Sequence, residues 1–289
     1  MALKVATHSG SFHADDVLAF SLIRVFVDPD ATIERTRNPE RWATADVVID
    51  VGGEFDPTRM RFDHHQANYT GTRSSAGMVL DWLETESKVT KVVAQSLRHD
   101  LVEHVDAIDT GSKTPTRGVP CFSTLVAMTN NTAKSPEDFL ANYLEAARMA
   151  ARVVEGIVAG CEQIAAAREA VETGMADAIA NNRAVIFLDD YYVWKPAYFE
   201  NDGINHPTDF VLFPGDNNWR IVAIPPELGS YDNKRPLPLE WAGLTDESLT
   251  AVVGVPGASF CHKNRFIAVF KTRQGALDAL EKWDLMRRP

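Results

Sequence analysis

Cysteine is scarce in this sequence. The chain holds three, Cys121, Cys161 and Cys261, far apart and never in a C-x-x-C pair. That excludes a zinc ribbon or a thioredoxin-type site and argues against a disulfide framework. Long apolar runs are also missing: no stretch approaches the ~18 consecutive apolar residues of a membrane span. Met1-Ala2-Leu3-Lys4 leads into Val5-Ala6-Thr7-His8 without the apolar core of a signal peptide. The expected compartment is the reducing cytoplasm, with no membrane partner. There is no basic run, and Lys plus Arg number 29 against 40 Asp plus Glu, a net charge of −11. Proteins that grip long nucleic acid by its phosphates show a basic face, so a long duplex is not an expected partner. Internal repeats and low-complexity tracts are absent as well.

What is present is an ordinary globular composition, 45% hydrophobic and 24% charged over 289 residues, enough for one or two domains. Leu3 to Thr7 reads as a strand running into the loop His8-Ser9-Gly10-Ser11. Val17 to Val27 reads as a buried helix, with Asp15 and Asp16 at its start, where the helix dipole favours acids. Ala31 to Arg35 and Val47 to Val51 read as strands, the latter stopped by Gly52-Gly53. Strand, helix, strand at this spacing predicts a parallel βαβ arrangement. Ser74-Ser75-Ala76-Gly77 opens a helix through Leu83, and Val92 to Ile108 reads as another. Ser135-Pro136 caps an Ala-rich helical stretch to about Ala180, expected to break at Gly156 or Gly160, with Asn181-Asn182 closing it. From Ala184 the segments AVIFLDD, FVLFP, WRIVAIP and FIAVF read as strands, with a final helix after Thr272. The expected organisation is a domain at 1–134, a helical connector at 135–181 and a second domain at 182–289.

Ligand-type side chains cluster at the strand ends. His8, His13, Asp15 and Asp16 lie between the first strand and helix. Asp50 ends an apolar strand, Asp63-His64-His65 follow, and Asp106 and Asp109 are three apart on one helix face. Ligands of a parallel α/β sheet gather at the carboxyl ends of its strands, where these clusters can meet. Imidazole with carboxylate suits manganese, cobalt, zinc or iron better than calcium. Two such ions, with one carboxylate bridging them, clamp the attacking and leaving oxygens of a phosphoryl displacement. Each residue alone has a plainer reading: Asp50 as a turn residue, His8 as a loop histidine satisfied by ordinary partners, Asp106 and Asp109 as a solvated face. Repetition at successive strand ends outweighs them.

The motifs THSGSFHADD, VIDVGGEFDPTRMRFDHHQ, SSAGMVLDWL and VDAIDTG, with YDNKRPLPLEWAGLTDESLTAVVGVPGASFCHKNRFIAVFKTRQGALDAL in the C-terminal half, resemble the MYG (melanocyte-proliferating-gene) family. That family is a branch of the DHH phosphoesterases, named for the motif at Asp63-His64-His65. The resemblance spans nearly the whole chain. It implies an α/β fold, with a DHH-phosphoesterase-like parallel-sheet N-terminal domain holding the metal centre and a smaller α+β C-terminal domain holding substrate. It further implies His8, His13, Asp15, Asp50 and His64 as metal ligands, with Asp109 or Asp106 as the last. Asp50 would be the bridging carboxylate, Asp63 would orient His64, and His65 would sit near the phosphate. DHH relatives usually carry aspartate where His13 stands, so the site is richer in nitrogen.

In the C-terminal half the resemblance points to Gly257 and His262, within GVPGASFCH, as phosphate or terminal-nucleotide contacts, with Arg220, Lys234 and Arg235 as candidate phosphate partners. The chain departs from the family's Phe-Ile-Gly-Gly with Phe266-Ile267-Ala268-Val269. The activity implied is metal-dependent phosphodiester hydrolysis, as a 3′–5′ exoribonuclease on short RNA, with two manganese ions (magnesium, cobalt or zinc as substitutes). The alternatives are a small-nucleotide or pyrophosphate phosphatase, and a non-catalytic binding protein that keeps the fold. A homo-oligomer is compatible with the sequence.

Overall fold

The computed structural model describes residues 2–287. The chain divides into two compact units, residues 1–161 and 162–289.

The first unit begins β1 (Lys4–Thr7), α1 (Ala14–Phe26), β2 (Thr32–Arg35), α2 (Pro39–Ala43), β3 (Val47–Ile49), β4 (Phe55–Asp56) and β5 (Arg61–Phe62). The sheet order is β2-β1-β3-β5-β4. β2, β1, β3 and β5 run parallel, and β4 closes the edge antiparallel to β5. Alternation along the strands decides the layers. Val5, Val47 and Ile49 enter the main core, while Ala6 and Val48 form a small cluster with Val51 against Trp42 of α2. The main core is completed by α1, by α3 (Ser75–Thr85) and by the first half of α7 (Pro136–Ala180). α1 buries every residue from Ala14 to Ile23, which explains its nearly unbroken apolar run.

From β1 the chain leaves through α1 to β2 on one side, then returns to β3 on the other. The loops after β1 and β3 therefore diverge and open a crevice at the carboxyl ends of these strands. The helix read at Val92 to Ile108 is α4 (Lys91–Leu97) and α5 (Glu103–Asp109), joined by a π-helical turn at Arg98–Val102. α6 (Phe122–Thr129) follows.

α7 contradicts the expected break: it runs unbroken through Gly156 and Gly160. Each helical glycine costs only ~1 kcal/mol relative to alanine, and α7 has no proline after its first residue.

The second unit has β6 (Val185–Phe187), α8 (Trp194–Glu200), β7 (Phe210–Gly215), β8 (Asn218–Ala223), α9 (Asp246–Val253), β9 (Ala258–Cys261), β10 (Ile267–Phe270) and α10 (Arg273–Lys282). Its sheet order is β6-β7-β8-β10-β9; only β6 and β7 pair in parallel. Both faces are covered. Phe210, Leu212, Ile221 and Ala268 pack toward α9 and α10. Ile186, Val211 and Phe213 pack toward α8 and the second half of α7. Among the described residues no helix is long and apolar enough to cross a membrane.

Candidate metal centre

His8 follows the last residue of β1, and the loop to His13 is pinned from several directions. Phe12 is fully buried. Asn130, from beyond α6, accepts from the Phe12 amide at 3.1 Å and donates to its carbonyl at 2.9 Å. Arg35 donates to the Gly10 carbonyl at 2.6 Å and stacks over the Phe12 ring. Asp16, at the third position of α1, accepts from the His13 amide at 3.0 Å, a capping contact that fixes the helix start. Asp15 precedes it, its carboxylate wholly buried.

Asp50 turns the chain at the end of β3 with φ +53°. Aspartate tolerates this left-handed conformation better than most residues. The turn continues through Gly52 and Gly53, also at positive φ, and the Gly53 amide donates to Asp63 Oδ2 at 2.5 Å. One oxygen of Asp63 thus holds the Asp50 turn. The other accepts from the His65 amide at 3.1 Å and from its Nδ1 at 2.8 Å.

These elements bring their side chains together. Asp50 Oδ2 lies 3.3 Å from His8 Nε2, and Oδ1 lies 3.4 Å from both His64 Nε2 and His65 Nδ1. His64 Nε2 is 3.0 Å from Asp109 Oδ2 and 3.9 Å from Asp15 Oδ2. Three groups each place their ligand atoms within 4.8 Å of one another: His8, His13 and Asp50; Asp50, His64 and His65; His13, Asp15 and Asp109.

Asp50 and His13 each belong to two of these groups. His8 Nε2, His64 Nε2, Asp50 Oδ1 and both Asp15 oxygens are buried without an aligned hydrogen bond. Buried polar atoms are normally satisfied, so this convergence of unsatisfied imidazole and carboxylate atoms fits a divalent cation and its chemistry.

The electrostatics of the cluster agree. Burial, then Asp50, Asp109 and Asp16, push the Asp15 carboxyl well above the usual range. Burial also raises Asp16, to about 7, against the pull of His8. Burial would lower the basicity of His64, but Asp109 and Asp50 override it and raise the imidazole to about 10. Burial works against ionisation of Asp50, yet His64 and His8 hold it below the ordinary carboxylate range. A cleft of about 510 Å³ opens onto the cluster, lined in part by His8, His13, Asp50, Asp63 and His65.

A model of the family described as MYG1_exonuc, uncharacterised protein family (UPF0160), matches residues 4–282. The chain belongs to this family. The MYG1 protein of Chlamydia muridarum (strain MoPn / Nigg) is 37% identical over 285 residues, covering 96% of this chain and 94% of its own length. The MYG1 exonuclease of Homo sapiens is 32% identical over 314 residues, covering 95% of this chain and 84% of that one. A solved structure of RecJ in complex with Mn2+ from Thermus thermophilus is similar at 10% identity and a TM-score of 0.30, covering 100% of this chain and 53% of that one.

Against the MYG1-family motifs, several residues stand elsewhere than expected. Asp63 orients His65, not His64: its oxygens are both engaged, by His65 and by Gly53. Asp106 is turned away from the cluster. Its Oδ1 accepts from the Ser74 amide, the Ser74 hydroxyl and the Gly77 amide at 3.0, 2.7 and 3.1 Å, so it caps α3. Of the two acids read as the last ligand, Asp109 is the one that reaches His64.

The C-terminal candidates each have partners of their own. Lys234 donates to Tyr198, Gly203 and His206, which occupies all three ammonium hydrogens. Arg235 donates to the Arg287 and Asp284 carbonyls. Both are tied to the fold by these bonds. Arg220 donates to Asn218. Gly257 sits in a turn at φ +83°, and His262 stacks 4.5 Å from Phe266. The family departure at Ala268 is a packing matter, since its methyl lies in the core beneath α9 and α10.

Asp16 is the site residue that had no assigned role. Its signal was its place three residues after His13, at the helix start.

Proposed function

We propose that this chain is a metal-dependent phosphodiesterase that removes nucleotides from the 3′ end of short RNA, working in the cytoplasm with two manganese ions. The observation that carries the proposal is the Asp50 carboxylate, with one oxygen toward His8 and the other toward His64 and His65. That divided reach suits a carboxylate shared between two ions. His8, His13 and Asp50 would hold one ion, and Asp50, His64, Asp15 and Asp109 the other. Relatives that carry the name MYG1 exonuclease support the reaction class.

A divalent pair supplies charge neutralisation at phosphate oxygens and makes water more acidic. The chain's own residues supply the rest. The strained turn at Asp50, locked by Asp63 and Gly53, fixes the shared carboxylate before substrate arrives. Asp63 holds His65 by Nδ1, which leaves Nε2 to exchange a proton with an oxygen of the substrate. The volume of the cleft suits a nucleotide-sized group, and the net charge of −11 favours a short chain over a long one.

The test incubates metal-stripped protein with manganese and 5′-labelled RNA of five to ten nucleotides, beside Asp50→Ala and His64→Ala variants. Wild type is expected to shorten the RNA stepwise. Each variant is expected to lose more than the ~10–100-fold typical of removing an outer partner of a metal ligand. Metal uptake without shortening would overturn the RNA reading and direct assays to pyrophosphate and cyclic dinucleotides.

A further inference from the structure

Arg37 stands on the wall of the same cleft, in the loop between β2 and α2. It is the one Lys or Arg among the residues lining that cleft. Its backbone is fixed. The Thr36 amide donates to the Thr7 carbonyl at 2.7 Å, and the Thr36 carbonyl accepts from the Trp42 indole at 3.0 Å. Asn38 donates to the Thr36 hydroxyl at 3.1 Å and caps α2 through the Glu40 amide at 3.0 Å.

The side chain, by contrast, is exposed and forms no ion pair among the described residues. Among the described residues, its side chain comes within hydrogen-bond distance of His8 Nδ1, 3.5 Å from Nη2. Nδ1 faces the Ser9 carbonyl at 3.2 Å, an acceptor only, so the ring hydrogen on Nδ1 points there. His8 therefore offers Arg37 no lone pair. Other arginines of this region are engaged: Arg35 with Gly10, Arg41 with Glu34, Arg59 with Glu54, and Arg61 with main-chain carbonyls.

A guanidinium held at the rim of a carboxylate-rich cleft, with no acceptor of its own, matches a planar oxyanion. We propose that Arg37 binds a phosphate of the substrate at the mouth of the metal centre. The proposal rests on the phosphoesterase reading above and adds the residue that recognises the substrate's charge. It sits beside His8, so the phosphate it holds is the one being cleaved or its immediate neighbour.

Arg37→Gln and Arg37→Lys are compared with wild type, and with Arg41→Gln, whose ion pair lies outside the cleft lining. Manganese stoichiometry is measured first and is expected to be equal in all four. Arg37→Gln is expected to raise KM for short RNA roughly 10–100-fold, the range of a charge-assisted hydrogen bond, with a smaller change in kcat. It also lowers the slope of log kcat/KM against log salt by about 0.7, one phosphate contact on a single strand. Arg37→Lys recovers part of KM, and Arg41→Gln behaves as wild type.

Calorimetric titration of the manganese-loaded proteins with inorganic phosphate reads the same contact without turnover. If wild type cleaves no RNA yet binds phosphate far more tightly than Arg37→Gln, the substrate reading falls and the role of Arg37 stands. Equal KM, equal salt slope and equal phosphate affinity in Arg37→Gln and wild type would overturn the proposal.

Discussion

Asp15 carries a fully buried carboxylate, neither of whose oxygens accepts an aligned hydrogen bond. Its folded-state ionisation is raised by burial and by three neighbouring acids. An acid raised in this way opposes folding once pH passes the ordinary carboxyl range, because the unfolded chain ionises first and the folded one resists. Metal-free protein is therefore expected to lose stability as pH rises from acid toward neutral. Asp15→Asn is expected to raise the metal-free Tm by about 2 °C or more, by more at pH 8 than at pH 5, while weakening manganese uptake. Paired thermal unfolding curves check it; an unchanged Tm at both pH values would show that Asp15 is not strained. A site that functions at the expense of stability is the general pattern for buried charge clusters. Cys261 behaves oppositely to a reactive thiol. It is fully buried, and burial pushes its thiol up to about 11. Thiol titration of native protein is expected to count Cys121 and Cys161, which are partly exposed, and to reach Cys261 only after denaturation.

α5 offers two acids to two different places. Positions three apart on a helix differ by about 60° in direction, enough to send Asp109 to His64 and Asp106 to the start of α3. That division was not legible in the sequence: the spacing says only that the two share a face, and the claim of α3 on Asp106 depends on a contact between residues 32 apart. It makes a distinct forecast. Asp106→Ala orphans the Ser74 and Gly77 amides and costs stability, by at least the ~0.5–2 kcal/mol of a lost cap. It leaves manganese stoichiometry intact, whereas Asp109→Ala reduces metal uptake with little loss of fold. Gly77 belongs to the same joint: an added Cβ would lie 2.3 Å from Asp106 Oδ2. The central strands and α1 were legible because their apolar runs alternate or fill a full helix. β4 and β5 are two residues each, too short to show any period. In α7 the glycines were misleading. A side chain added at Gly156 or Gly160 would meet open space, so Gly156→Ala and Gly160→Ala should each raise stability by about 0.4–1 kcal/mol, read as denaturant midpoints. A loss instead would mean that these glycines serve a close approach.

Across the whole molecule, the net charge of −11 is less informative than where the acids stand. Asp15, Asp16, Asp50 and Asp109 gather about His8 and His64 at low exposure, and both imidazoles are raised, that of His64 to about 10. The sequence showed that these residues recur at strand ends; it could not show that burial would raise Asp15 and Asp16 so that they favour the protonated form. Protons and divalent ions therefore compete for one cluster. A histidine raised in the folded state stabilises below its unfolded value near 6.5, and that stabilisation is lost as pH rises through about 10. Metal binding follows the reverse course, since each proton displaced makes apparent affinity rise about tenfold per pH unit across this window. An ion at ~100 times its Kd adds about 2.7 kcal/mol of stability. At a fixed manganese concentration, the Tm gap between manganese-loaded and metal-free protein should therefore widen steadily from pH 6 to pH 8, with protons released into weakly buffered solution on binding. A gap that stayed constant with pH, with no proton release, would mean that the ion binds away from His64.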